Sequence, residues 1–113
     1  MAISTDPLYP LLDRLLTLLA LVRKRISYRD LARAIGIHWR DPRLGRLLGV
    51  SMRADLAAGK PLRCSLVVRQ AKGRLWHPGP GFYAFAAQMG VPILSGTLAT
   101  LHLQEWRKLG FRP

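Results

Sequence analysis

The stretch Asp41 to Gly59, DPRLGRLLGVSMRADLAAG, constrains the chain most, because it supplies a helix with two chemically opposite faces. Asp41 is suited to cap such a helix, and Pro42 to its first turn, where the missing N–H would bond nothing anyway. Gly59 supplies the left-handed residue that ends it. At about 100° per residue, Leu44, Leu48, Met52 and Leu56 fall on one side. Arg43, Arg46 and Arg53 cluster on the other. One face is built for a core and the other for anions or for solvent.

The charge around this helix favours anions. The chain has 113 residues, the length of one domain (1–113), and carries 18 basic against six acidic residues for a net charge of +12. The window from Arg23 to Arg74 holds 14 of those basic residues and only Asp30, Asp41 and Asp55, so +11 of the net charge is concentrated there. Such a balance points to a polyanionic partner, nucleic acid ahead of a membrane surface. Fourteen of the 18 basic residues are Arg, which favours planar, bidentate contacts to phosphates or guanine edges. Cys64 is the single cysteine, so no intrachain disulfide forms and no metal site can rest on it; a reducing cytoplasm is expected. The apolar run Leu11 to Val22 is broken by Asp13, Arg14 and Thr17, which fits neither a signal peptide nor a membrane span. Neither a cofactor nor a metal is implied.

Taken in order, Asp6-Pro7 or Tyr9-Pro10 starts a first helix with Leu12, Leu15, Leu16, Leu19 and Val22 at helical spacing. Leu8, Leu11, Leu18 and Leu21 widen that stripe, so the helix is buried on a broad side or paired with another copy. Ser27-Tyr28-Arg29-Asp30 has the form of a capping box opening a second helix to Ile35, ended by Gly36. Tyr28, Leu31, Ala32 and Ile35 face inward there, while Arg29 and Arg33 face outward. His38 and Trp39 in the following loop read as packing or surface contacts.

Beyond the third helix, Leu62 to Gln70 alternates as a half-buried strand, with Cys64, Leu66 and Val68 on one face. Ala71-Lys72-Gly73 is a turn and Arg74-Leu75-Trp76 a returning strand, a hairpin with Arg69, Lys72 and Arg74 near its tip. His77 to Gly81, HPGPG, forces an irregular loop. Phe82 to Met89 is a short helix with Phe82, Phe85 and Ala86 inward; Tyr83 is core or an exposed stacking residue. Thr97 or Ser95 caps a last helix carrying Leu98, Leu101, Leu109 and Trp106.

Helix, helix, basic helix, strand, basic turn, strand is the order of a winged helix-turn-helix, so the expected fold is mainly α with a small β-hairpin and additional terminal helices. Gly45 and Gly49 permit close approach of a backbone to the basic helix. The runs SYRDLARAIG, PRLGRLLGVSMR and RCSLVVRQAKGRL, about residues 27–75, resemble the winged-helix domain of DNA alkyltransferases and alkyltransferase-like proteins. That resemblance implies that Tyr28 is the tyrosine that rotates a DNA phosphate, Arg43 the arginine that replaces a flipped base in the stack, and Cys64 the alkyl acceptor. Two departures oppose the chemistry. Ser65 stands where the family's histidine would be, and Arg63 replaces the preceding proline. Cys64 therefore reads as a small buried hydrophobe.

The expected function is that of a small, non-catalytic, cytoplasmic and nucleoid-associated protein that binds double-stranded DNA. It would be a regulator, a lesion sensor or a mobile-element accessory factor. Its expected DNA contacts are Tyr28, Arg29, Arg33, Arg40, Arg43, Arg46, Arg53, Arg69, Lys72 and Arg74. The alternatives are a module docking on an acidic protein and a Cys64-dependent alkyltransferase. RNA in place of DNA, and a homodimer or protein partner bound through the first or last helix, also stay open.

Overall fold

The computed structural model describes residues 6–111. Five α-helices carry most of the chain: α1 (Tyr9–Val22), α2 (Tyr28–Ile35), α3 (Arg43–Ala57), α4 (Pro80–Met89) and α5 (Leu101–Lys108). Four two-residue strands form two small sheets. β1 (Ile26–Ser27) pairs in parallel with β2 (Val67–Val68), and β3 (Gln70–Ala71) pairs antiparallel with β4 (Arg74–Leu75).

Capping residues set the helix limits. The Ser27 hydroxyl accepts the Asp30 amide at 3.1 Å, half of the expected capping box, and Gly36 closes α2 in the left-handed region. Asp41 accepts the Arg43 amide at 2.9 Å while Pro42 already has helical angles, so the basic helix starts as its sequence demands. It is one residue shorter at each end than 42–58, and Gly59 follows at φ +66°. α1 runs from the Tyr9-Pro10 start, but its buried side is narrow. Leu12 and Leu16 are fully buried, whereas Leu11, Leu18, Leu21 and Val22 are exposed. Among the described residues the broad covered face expected for this helix is therefore absent: α1 lies on the segment around Cys64 along one stripe, and Val22 projects beyond it.

The strand expected from Leu62 to Gln70 is not one strand. Arg63–Leu66 forms a 3-10 turn, in which both the amide and the hydroxyl of Ser65 donate to the Leu62 carbonyl. Burial of Cys64, Ser65, Leu66, Val67 and Val68 in succession leaves no solvent face, so the alternation has no structural counterpart. Arg63 turns inward as well. Its guanidinium meets Asp55 at 3.1 Å and Asp13 at 2.8 Å, tying α1, α3 and this turn together. Burial opposes its charge, yet the hydrogen bonds and charges of the two aspartates win and hold its pKa above the ordinary arginine value.

The core joins Leu12, Leu16, Leu31, Leu47, Met52, Leu62, Val67, Phe82 and Leu101 in one cluster. Gly49 admits the Phe85 ring of α4, which would lie 3.6 Å from an added Cβ; the close neighbour is thus a side chain, and not the backbone expected there. The Glu105 carboxylate, buried in α5, accepts the Leu62 amide and the Gln104 amide group and pairs with Lys108. The Thr97-Thr100 capping box precedes a short 3-10 turn (Leu98–Thr100) that leads into α5. The hairpin turn has Lys72 at φ +52° and Gly73 at +76°, the mirror-image form that suits the twist of two antiparallel strands.

Candidate nucleic-acid interface

The start of α2, one side of α3 and the start of α4 with its N-cap Gly79 enclose an open, largely apolar pocket of about 500 Å³. That volume falls within the range of about 300–1,000 Å³ usual for ligand sites. Tyr28, Leu44, Leu48, Phe82 and Phe85 line its apolar wall, and Trp39, Asp41 and Arg69 contribute to the rim. Gly45 lies on the wall with nothing within 4 Å of the position a Cβ would take, so its missing side chain keeps the pocket open.

Tyr28 fixes one side. Its hydroxyl accepts the Gly79 amide at 2.9 Å, and a Cβ on Gly79 would sit only 3.4 Å from that oxygen. Burial pushes the Tyr28 pKa up, against the opposing pull of the Gly79 hydrogen bond. Trp39 also lines the pocket and has two guanidinium groups against its ring, Arg29 at 4.5 Å and Arg40 at 4.7 Å from the centroid. Such contacts hold both cations beside the pocket mouth without neutralising them.

Arg43 is arranged differently. Its Nη2 pairs with Asp41 at 3.1 Å and its Nε bonds the same carboxylate. Hydrogen bonds from the Arg43 backbone and side chain hold Asp41 below the ordinary carboxylate value, and the pair raises the pKa of Arg43 in turn. Arg46 and Arg53, by contrast, are exposed on the outer side of α3.

Of the residues expected to bind DNA, Tyr28 and Arg69 line the pocket, Arg29 and Arg40 stack on its rim, and Arg43 is bound to a rim residue. Arg33, Arg46, Arg53, Lys72 and Arg74 stand outside it, on α2, α3 and the hairpin. The sequence reading missed Trp39 as a site residue. The available signal was a tryptophan next to arginine in a stretch already dense in arginine.

Cys64 is not part of this pocket. It is buried under α1 and α3, and burial pushes its thiol far up, with the nearby Asp55 charge adding to the effect. A thiol in such surroundings stays protonated and is a poor nucleophile. Its neighbour Ser65 donates its hydroxyl to Leu62, and the Ser65 carbonyl accepts the Trp106 indole N–H at 2.8 Å. Among the described residues no group of three or more metal-ligating side chains forms, and no helix is long and apolar enough to cross a membrane. Comparison of the chain with protein-family models, curated proteins and solved structures returns no match.

Proposed function

We propose that this chain is a small DNA-binding protein of winged-helix form that acts by occupancy, holding a displaced nucleobase in the pocket between α2, α3 and the Gly79 loop. The observation that carries this reading is an apolar, aromatic-walled pocket with arginine at its mouth, beside a helix whose outer side is basic. A nucleobase needs an apolar slot, and the phosphates flanking it need cations at the rim. Helix α2, a turn, α3 and a basic hairpin follow one another in the order that a winged helix requires, which supports that assignment of form. The burial of Cys64 away from the pocket supports a role without covalent chemistry. Among the three DNA-binding roles considered, the pocket favours the lesion sensor, since a regulator reading an intact duplex has no use for it.

Binding to an intact duplex and to one carrying a mismatched, weakly stacked base, each titrated with salt, tests the proposal. Affinity should fall steeply with salt, each neutralised phosphate adding about 0.9 to the log-log slope. The mismatched duplex should bind more tightly, because displacing its base costs less. Replacing the exposed Arg46 and Arg53 with Ala should lower the slope by up to about 2. A flat salt dependence would overturn the DNA-binding reading, and equal affinity for the two duplexes would overturn the base-holding one.

A further inference from the structure

The hairpin carries a feature that phosphate contact alone does not require. Trp76 is about half exposed at 49%, yet it is held in place. Its indole N–H donates to the Ala71 carbonyl across the hairpin at 3.2 Å, and its own amide pairs with the Arg69 carbonyl at 2.9 Å. An exposed indole fixed in this way is a platform that has already lost its rotamer freedom.

Two shallow grooves meet at this ring. One, of about 270 Å³, runs from Arg69 and Gln70 to Trp76 and His77. The other, of about 330 Å³, runs from Arg74 past Trp76 and His77 to His102. Arg69 also lines the pocket between α2 and α3, so one arginine borders both that pocket and the first groove. His77 and His102 lie 5.8 Å apart at the far wall. His102 is hydrogen-bonded to Tyr83 at 2.8 Å, and burial with the neighbouring His77 lowers its pKa. The two imidazole edges there suit the polar edge of a base, and Arg69 and Arg74 suit its phosphates.

We propose that the hairpin holds a second nucleobase-stacking site, with the Trp76 indole as its platform between Arg69 and Arg74, so that the preferred substrate is DNA with an unpaired stretch. This rests on the reading of the chain as a DNA-binding protein and extends it from one displaced base to a strand. A hairpin that only rests on duplex phosphates needs cations, since the faces of paired bases are hidden within the stack. An indole that shares one groove with Arg69 and the other with Arg74 matches the alternation of stacking platform and cation by which proteins hold single strands.

The test compares native protein, Trp76→Ala and Trp76→Phe for binding to a short oligo-dT strand and to a fully paired duplex of equal length, by anisotropy of the labelled DNA. Trp76→Ala should weaken oligo-dT binding by about fivefold to a hundredfold, the worth of one stacked base, and leave duplex binding unchanged. Trp76→Phe, which keeps a stacking ring, should restore most of the loss. Equal oligo-dT binding by native protein and Trp76→Ala, with duplex binding intact, overturns the second site and leaves the DNA-binding reading standing. So does a Trp76→Phe variant that fails as badly as Trp76→Ala while keeping the native circular dichroism. Native protein that binds neither probe overturns both.

Discussion

Asp41 serves two ends at once. Its carboxylate accepts the Arg43 amide at the start of α3, and it neutralises the Arg43 guanidinium at 3.1 Å. A phosphate approaching the pocket mouth must compete with Asp41 for that arginine. Asp41→Asn keeps an amide oxygen able to cap the helix but removes the competing charge. Duplex binding by Asp41→Asn should therefore be tighter than native, with a salt slope steeper by up to about 0.9, read from a salt titration of each protein. Acid should act on the same pair. Because the folded state holds the Asp41 carboxyl below its ordinary value of 3.8, its contribution to the start of α3 is complete above that pH. It is lost as pH falls through the lower, folded value, since protonation removes the charge that Arg43 binds.

At the scale of elements, α3 is defined as much by what its pocket side lacks as by its charges. Gly45 is helical, faces open space and lines the pocket. Gly45→Ala should stabilise the protein by up to about 1 kcal/mol in thermal or urea unfolding, because Ala restricts the unfolded chain and meets no neighbour. Gly45→Leu should fill the pocket and abolish the preference for a mismatched duplex, while the salt slope of duplex binding stays native. α3 was legible because Asp41, Pro42, Gly59 and the leucine spacing are local signals that agree with one another. α2 was legible for the same reason, through Ser27 and Gly36. The segment after α3 was not. Leu62, Cys64, Leu66 and Val68 alternate with the half-buried Arg63 and the buried Ser65 and Val67, and what decides the backbone there is remote: Asp55 and Asp13 draw Arg63 inward, and Glu105 takes the Leu62 amide. The α1 stripe misled for the opposite reason, since leucine periodicity reports apolar faces but not how many of them a neighbour covers. Of the site, the arginines could be named from composition. The pocket could not, because its walls come from residues as far apart in the chain as Tyr28 and Phe85.

For the whole molecule, the junction at Arg63 matters most. Its guanidinium bonds Asp55 of α3, the Asp13 carboxylate of α1 and the Thr17 hydroxyl, and its amide bonds Asp55 as well. Asp55 is only 2% exposed, so removing it strands a half-buried cation and an amide together. Asp55→Ala should lower stability to denaturant by about 3 kcal/mol, the low end for a broken buried pair because Asp13 remains. The short parallel ladder has a different kind of consequence. Ile26 pairs with Val67 and Ser27 with Val68, closing a loop that contains all of α2 and α3. Those helices can form from nearby residues, whereas the ladder must first overcome the chain entropy of closing that loop. The pocket takes walls from inside the loop and from beyond it, so it exists only with the loop closed and the start of α4 docked against it. Whatever occupies it is bound by the completed molecule alone, and occupancy itself becomes a force that holds the loop shut.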